Sequence, residues 1–184
     1  MGAMNELKKT IVIGHIALIQ RTKKQGFVLD VIIELRKRGI DALGVFAGEC
    51  REEDYYQLLT SRIEKEQLNN SVVFLGRRND IPDLLKLLDV LIIPSSFEGF
   101  PLVGLEAASA RVPVAACNVA GAKEFVEVSG AGAIFNEENT EEAVNAILDI
   151  MNNKKRLGEK GIAFAKTCSE SNYSRSLHRI IESI

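Results

Sequence analysis

The sequence predicts an α/β fold in which helices cover both faces of a parallel β-sheet. Six short apolar runs alternate along the chain with longer segments of helical periodicity, which is the pattern of repeated βαβ units. The length of 184 residues suits one domain with a sizeable core. An apolar fraction of 46% and a charged fraction of 26% are ordinary for a globular chain. Because crossovers between parallel strands are right-handed, a doubly wound, three-layer α/β/α sheet is the expected closure.

Each predicted strand is a short apolar run, as expected for a strand that helices cover on both faces. In chain order these runs are TIVIG (10–14), ALGVFAG (42–48), VVFLG (72–76), VLIIPSS (90–96), VPVAAC (112–117) and GAIF (132–135). Helices are predicted between and after them, at 26–39, 52–68, 81–88, 101–110, 121–126 and 140–153. The first helix ends at Gly39, and Pro101 suits the first turn of the fourth because its fixed φ is compatible with a helix start. The terminal segment 166–184 is predicted to be a further helix, with Ser169 or Ser171 as its cap.

Composition narrows the classes of function. A net charge of −2 gives no field that would hold nucleic acid, so no nucleic-acid partner is expected. Cys50, Cys117 and Cys168 are widely spaced and form no CxxC motif, which indicates free thiols in a reducing cytoplasm. No apolar run reaches the roughly 20 residues that span a bilayer, and the N-terminus lacks the apolar core of a signal peptide. Residues 1–184 are interpreted as one domain, in which MGAM (1–4) resembles an expression remnant ahead of a piece of a longer protein.

The candidate site lies where the strand order of such a sheet reverses. Ligands bind there, beyond the carboxyl ends of the strands. With the expected order 3-2-1-4-5-6, strands one and four are neighbours at this point. The loop after strand one supplies Arg21, Lys23 and Lys24, and the stretch after strand four supplies Glu98, in the loop, and Glu106, in the helix that follows. Cations and carboxylates are therefore expected to face one crevice.

The start of the helix at 101–110 has the features of an anion site. The free N–H groups of Phe100, Leu102 and Val103, together with the helix dipole, are expected to point at the anion. Gly99 lets the backbone approach a ligand closely. Carboxylates on either side accept hydrogen bonds from vicinal hydroxyls, so the pattern suits a diphosphate with a sugar at both ends. A nucleotide sugar has this layout.

The segment EGFPLVGLE (98–106) resembles the E-x7-E motif of the large group 1 family of retaining GT-B glycosyltransferases. The stretches FAGE, FLGRRNDI and DVLIIPSS are similar to further landmarks of that family and occur in the usual order. The resemblance covers roughly residues 10–165. It implies a Rossmann-like domain that binds the nucleotide-sugar donor, as the C-terminal half of a GT-B enzyme.

The resemblance also implies a role for each matching residue. Glu98 and Lys23 are the implied catalytic residues, and Glu98 is expected to contact hydroxyls of the transferred sugar. The implied binding residues are Gly99, Phe100 and Pro101 (sugar pocket), Leu102 and Val103 (diphosphate), Glu106 (ribose), and Arg77 and Arg78 (nucleobase). His15, which follows the first predicted strand, is expected to be structural.

One position departs from the pattern of this family. The family's G-R-x4-K element aligns with ALIQRTK (17–23), so that Lys23 takes the lysine position and Leu18 takes the arginine position. Loss of that arginine removes a charge-assisted contact worth about 1.5–3 kcal/mol. Arg21 is the expected replacement, with Lys24 as the second candidate; without either, the domain would bind donor poorly.

For the full enzyme, the resemblance implies transfer of a sugar from an NDP-sugar, with UDP preferred, to a cell-surface glycan or lipid-linked acceptor. No metal or other cofactor is implied, because protein cations and N–H groups neutralise the leaving diphosphate. An N-terminal acceptor-binding domain is expected as the partner of this one. The isolated domain is therefore expected to bind donor weakly and to transfer little. The expected location is the cytoplasm, with peripheral association of the full enzyme at the inner face of the membrane.

Other functions remain as alternatives. A nucleotide-sugar epimerase shares the two-domain architecture, and a non-catalytic nucleotide-sugar-binding module would fit the leucine at position 18. A receiver-like signalling domain has a related fold, but it needs an acidic cluster after strand one, where lysines stand. A glycosidase would use two carboxylates as acid and base. The placement of Glu98 in a loop and Glu106 in a helix favours binding of hydroxyls instead.

Overall fold

The computed structural model describes residues 10–168, which form an α/β domain. Its strands are β1 (Ile11–Ile16), β2 (Ala42–Ala47), β3 (Val72–Phe74), β4 (Val90–Ile93), β5 (Val114–Cys117) and β6 (Gly132–Phe135). Its helices are α1 (Gln25–Lys37), α2 (Glu53–Lys65), α3 (Ile81–Lys86), α4 (Leu102–Ser109), α5 (Ala120–Ser129) and α6 (Thr140–Thr167), with a 3₁₀ turn at Arg21–Lys23. Strands and helices alternate throughout, as the hydrophobic pattern predicts.

All six strands are parallel and follow the order β3-β2-β1-β4-β5-β6. The predicted doubly wound, Rossmann-like sheet is confirmed. The order reverses between β1 and β4, where Ile13 lies opposite Val90 and Gly14 lies opposite Leu91. The loops that follow these two strands therefore emerge side by side.

The core consists of one apolar layer on each face of the sheet. Alternate residues of β4 enter opposite layers: Ile92 packs in the layer with α1, α2 and α6, whereas Leu91 and Ile93 pack with α3, α4 and α5. Phe46 and Phe125 are among the largest fully buried side chains, one in each layer. Burial of such a side chain contributes about 1.5–3 kcal/mol.

Helix α6 is longer than the sequence pattern predicts, because it continues past residue 153 to Thr167. It begins where the side chain of Asn139 accepts a hydrogen bond from the Glu142 backbone N–H, at 3.0 Å. Its later part packs against the end of α4. A Cβ at Gly158 would lie 2.8 Å from the Arg111 carbonyl oxygen, so this glycine allows the close approach. Packing against the end of α4 thus stabilises the helix beyond residue 153, where the sequence pattern predicts that it ends.

The remaining predictions about the fold concern the cysteines, membrane spans and the C-terminus. All three cysteines are free thiols, as predicted, with Cys117 buried and Cys50 and Cys168 exposed. Within residues 10–168, no helix combines the length and the apolarity that a bilayer crossing requires. Most of the helix predicted at 166–184 lies outside the described residues.

Candidate functional site

The crevice at the carboxyl ends of β1 and β4 is formed by two loops in contact. The loop after β1 folds into the 3₁₀ turn Arg21–Lys23. The backbone N–H of Ser96, in the loop after β4, donates to the Thr22 carbonyl at 3.2 Å. This bond holds the two loops together and brings their charged side chains to the same place.

Lys23 and Glu98 form an ion pair inside this crevice. The Lys23 Nζ lies 2.7 Å from Glu98 Oε1, and the two side chains are only 24% and 16% exposed. Both border a cavity of about 280 Å³, which we call the α4 cavity. The predicted site residues that line it are Lys23, Glu98, Phe100, Pro101, Leu102 and Val103. The structure thus brings together most of the predicted sugar and diphosphate contacts.

The N-terminus of α4 presents free backbone donors at this cavity. Pro101 occupies the position before the helix, with φ −75°, and its carbonyl accepts from Gly104 N–H at 2.9 Å. The N–H groups of Leu102 and Val103 have no acceptor among residues 10–168. These donors and the helix dipole favour an anion at this point.

Gly121 positions the Glu98 loop, a role that the sequence motifs do not indicate. Its N–H donates to the Glu98 carbonyl at 3.2 Å. A Cβ at Gly121 would fall 1.3 Å from the Gly99 carbonyl oxygen, so only glycine fits the start of α5 here. A glycine in the first turn of a predicted helix is the sequence signal that was available.

His15 lies near the end of β1, lines the α4 cavity with Lys23 and Glu98, and is 2% exposed. Its Nδ1 donates to the Ile92 carbonyl of β4 at 3.1 Å. Burial lowers the pKa of His15 to about 4, so the imidazole is neutral at pH 7. His15 and Ser95 both line the α4 cavity, and the His15 Nε2 and the Ser95 hydroxyl are buried without a hydrogen-bond partner among the described residues. The expected structural role of His15 agrees with its bond between the two central strands.

Arg77 and Arg78 border a second cavity of about 220 Å³, which we call the β2 cavity. Ile16 and Ala17 line both cavities, so the two adjoin along the end of β1. Arg78 is paired with Asp80, with 2.8 Å between Nε and Oδ1, and this bond raises the pKa of Arg78.

Leu18, at the position where the family pattern has arginine, also lines the β2 cavity. Its side chain is 38% exposed, and its carbonyl accepts from the Gln25 side chain at 2.9 Å. An apolar side chain therefore borders the β2 cavity at the position where the family pattern has a cation.

The structure places Arg21 elsewhere than the sequence analysis expects. Its guanidinium lies 2.6 Å from Glu52 Oε2 and 2.7 Å from Asp54 Oδ2, at the start of α2. It also lies over the Tyr55 ring, 5.2 Å from its centroid. Hydrogen bonds to Asp54 and then Glu52 raise the pKa of Arg21. Arg21 lines neither the α4 cavity nor the β2 cavity, so this geometry does not support its replacing a cation at position 18.

Two other predicted residues lie outside the α4 cavity. The Lys24 ammonium pairs with Glu137 and Glu138, in the loop between β6 and α6. Glu106 is exposed on α4, and its carboxylate has no hydrogen-bond partner within residues 10–168. Glu106 lines neither the α4 cavity nor the β2 cavity. The described residues also contain no cluster of His, Cys, Asp and Glu that could hold a metal ion.

Comparison with solved structures places this fold among known glycosyltransferases. The structure of HepE from Anabaena in complex with UDP has a TM-score of 0.84 at 25% identity, and the match covers 95% of this chain and 49% of that one. HepE with UDP-glucose gives a TM-score of 0.83. The C-terminal domain of a group 1 family protein, LpcC from Francisella tularensis, shares the fold at 23% identity, with a TM-score of 0.74 and coverage of 85% of both chains.

Curated relatives give the same family. The chain is 32% identical over 106 residues to a putative glycosyltransferase, EpsF of Bacillus subtilis, covering 56% of this chain and 26% of EpsF. It is 30% identical over 149 residues to the lipopolysaccharide core biosynthesis mannosyltransferase LpsB of Rhizobium meliloti, covering 79% of this chain and 42% of LpsB. The matches thus span less than half the length of these relatives. The family model "Glycosyl transferases group 1" matches residues 3–166. The chain therefore belongs to the glycosyl transferases group 1 family, as the C-terminal domain of a GT-B glycosyltransferase.

Proposed function

We propose that this domain binds the NDP-sugar donor of a retaining glycosyltransferase, with UDP as the preferred nucleotide. The observation that carries the proposal is the Lys23–Glu98 ion pair beside the free N–H groups of α4, in a cavity of about 280 Å³. Such an arrangement offers positive charge to a diphosphate and a carboxylate to the hydroxyls of the adjoining sugar. The similarity to HepE, solved with UDP and with UDP-glucose, supports UDP.

The diphosphate would lie at the N-terminus of α4. The N–H groups of Leu102 and Val103 would donate to its oxygens, and Lys23 would supply a full positive charge. When the bond to the sugar breaks, negative charge develops on the diphosphate, and donors already in place stabilise it without reorganisation. Because Lys23 is held by Glu98 before donor arrives, binding would turn its ammonium toward the phosphates or let it bridge both anions.

The sugar and the nucleoside would then lie on opposite sides of this point. Glu98 would accept hydrogen bonds from hydroxyls of the transferred sugar, within the pocket formed by the backbone of Gly99, Phe100 and Pro101. Glu106 would accept from the ribose hydroxyls at the exposed rim. The β2 cavity, whose lining includes Arg78, would take the nucleobase end.

The full enzyme would add an acceptor-binding domain on the N-terminal side and would act in cell-surface polysaccharide or glycan biosynthesis. LpsB, a mannosyltransferase of lipopolysaccharide core biosynthesis, supports this setting. The acceptor would be a glycan or lipid-linked saccharide, and the full enzyme would work at the inner face of the membrane. Since the acceptor half is needed for chemistry, the isolated domain would bind donor weakly and transfer little.

A thermal-shift screen of UDP-, GDP- and ADP-sugars tests the proposal. A ligand that binds only the folded state raises stability by about 2.7 kcal/mol at a hundredfold excess over its dissociation constant. We expect UDP-sugars to give the largest shift, and the Lys23→Ala variant to lose most of it. If none of the three classes raises the unfolding midpoint, and calorimetry finds no saturable binding, this function is wrong.

A further inference from the structure

The five cationic side chains that follow β1 and β3 and are candidates for the site differ in whether a carboxylate already pairs with them. These are Arg21, Lys23, Lys24, Arg77 and Arg78. Four of them are paired: Arg21 with Glu52 and Asp54, Lys23 with Glu98, Lys24 with Glu137 and Glu138, and Arg78 with Asp80. The exposed side chain of Arg77 has no ion-pair or hydrogen-bond partner within the part of the chain that the structure describes.

Arg77 lines the same cavity as Leu18, the apolar residue that stands at the family's arginine position. Both side chains line the β2 cavity, and Ile16 and Ala17 form the wall that this cavity shares with the α4 cavity. A ligand that extends from the start of α4 along the end of β1 would therefore enter the cavity that Leu18 and Arg77 line. The acidic side chain that borders the same cavity, Glu49, is paired with Arg51 at 3.6 Å, which reduces its repulsion of an anion.

The ion pairs decide which arginine is available to an anion. The Arg78 guanidinium uses two nitrogens on the two oxygens of Asp80, so it must break a bidentate pair before it meets a phosphate. Arg21 must leave two carboxylates, and it lies outside both cavities. Arg77 breaks no such pair on binding an anion. A charge-assisted hydrogen bond from this residue is therefore gained without the loss of an existing ion pair.

We propose that Arg77 binds the diphosphate and supplies the guanidinium that position 18 lacks, while Arg78 remains with Asp80. This inference rests on the proposed function, since it assigns a contact within the same donor site. It differs from the role given to Arg77 by the family resemblance, in which this arginine approaches the nucleobase. The two roles predict different effects of Arg77 on UDP and on uridine, because uridine carries the base without the diphosphate. A contact with the diphosphate affects only the binding of UDP, whereas a contact with the base affects the binding of both.

The test compares UDP with uridine in four proteins: wild type, Arg77→Ala, Leu18→Arg with Arg77→Ala, and Arg156→Ala. Calorimetry measures the dissociation constant of UDP, and NMR titration measures that of uridine, which binds more weakly. Arg156 lines neither cavity, so its variant controls for a loss of one positive charge far from the ligand. Arg77→Ala should raise the dissociation constant of UDP roughly tenfold or more and leave that of uridine unchanged. Leu18→Arg should restore UDP binding in the Arg77→Ala protein, whereas Arg156→Ala should bind both ligands as wild type does.

Three results would overturn the inference. The first is that Arg77→Ala weakens the binding of uridine as strongly as that of UDP, which assigns the residue to the base. The second is that Arg77→Ala leaves UDP binding unchanged. The third is that Leu18→Arg fails to restore UDP binding in the Arg77→Ala protein. Equal thermal midpoints of the variants establish that the exposed substitutions leave the fold intact. If wild type binds no nucleoside diphosphate, the proposed function itself fails and the inference falls with it. That outcome differs from a wild type that binds UDP and is indifferent to Arg77.

Discussion

Lys23 and Glu98 are 75 positions apart in the sequence, yet their charged atoms lie 2.7 Å apart in the structure. The parallel order places β1 beside β4, so the loops that carry these residues emerge next to each other. Partial burial strengthens the attraction between the two charges relative to an exposed ion pair, and the pairing offsets the cost of removing each charge from water. An incoming diphosphate competes with Glu98 for the same ammonium, and this competition determines how the two residues respond to substitution.

Replacement of Lys23 by methionine should weaken UDP binding. The variant keeps most of the side-chain volume but loses the charge that borders the α4 cavity, and it leaves Glu98 without its partner beside the phosphates. The loss of one charge-assisted contact is worth about 1.5–3 kcal/mol, which corresponds to a dissociation constant roughly tenfold to a hundredfold higher. Isothermal titration calorimetry with UDP measures the change.

The adjacent lysine provides the matched control for this substitution. Lys24 carries the same charge but pairs with Glu137 and Glu138 outside the α4 cavity. Lys24→Met should therefore bind UDP within about threefold of wild type. Equal losses in the two variants would mean that net charge alone, rather than the position of Lys23, attracts the ligand.

Replacement of Glu98 by glutamine should separate nucleotide binding from sugar recognition. The substitution removes the anion that holds Lys23, so UDP should bind as tightly as to wild type or more tightly. The extra affinity of UDP-glucose over UDP should shrink, and sugar transfer by the full enzyme should fall at least tenfold, because a carboxylate that accepts from sugar hydroxyls is lost. Calorimetry with both ligands and an activity assay of the full enzyme measure these effects.

Glu137→Gln is the control for Glu98, since it removes one negative charge from the partner of Lys24 rather than of Lys23. It should leave the ratio of UDP-glucose to UDP affinity unchanged. If Glu98→Gln keeps both that ratio and the activity of the full enzyme, Glu98 does not contact the transferred sugar.

A methyl group at Gly121 should disturb the loop that carries Glu98. The added Cβ would fall 1.3 Å from the Gly99 carbonyl oxygen, so the backbone of one segment must move. Overpacking of this kind costs about 1–3 kcal/mol, or a fall in the unfolding midpoint of roughly 2–4 °C per kcal/mol. Gly121→Ala should also weaken the binding of UDP-glucose, because it displaces the loop that carries Glu98. For stability, Gly99→Ala is the matched control, because a Cβ there meets nothing within 4 Å; an unfolding midpoint equally low in both variants would contradict this account.

The sequence alone predicts the strand order and the meeting of the Lys23 and Glu98 loops, because alternation of strands and helices leaves few topologies. It could not predict that the Arg21 side chain turns toward α2. That direction depends on Glu52 and Asp54, which lie 31 and 33 positions away and become neighbours only when α2 packs beside the crevice. The packing of Gly121 against Gly99 is hidden for the same reason. Which cations are free and which are paired is a property of the tertiary structure.

The stability of the domain should fall between pH 6.5 and about 4 through His15. Burial lowers the pKa of its imidazole from the ordinary value of 6.5 to about 4. In this interval the unfolded chain binds a proton that the folded chain does not, so the free energy of unfolding decreases as the pH falls and levels off below about 4. A shift of this size corresponds to a loss of at most about 3 kcal/mol. Denaturant unfolding at a series of pH values measures it.

His15→Phe should flatten this part of the pH profile. Phenylalanine can fill the buried site beside Phe46, whose ring centroid lies 5.8 Å from that of His15, but it has no proton to gain. The variant loses the hydrogen bond to Ile92, so its stability at pH 7 should be lower by about 1 kcal/mol, and the decisive quantity is the difference in slope. Carboxylates titrate in both proteins and cancel in that difference. His178→Gln removes the other histidine of the chain and should keep the wild-type slope; if His15→Phe keeps it too, the buried imidazole does not control the acid sensitivity of the fold.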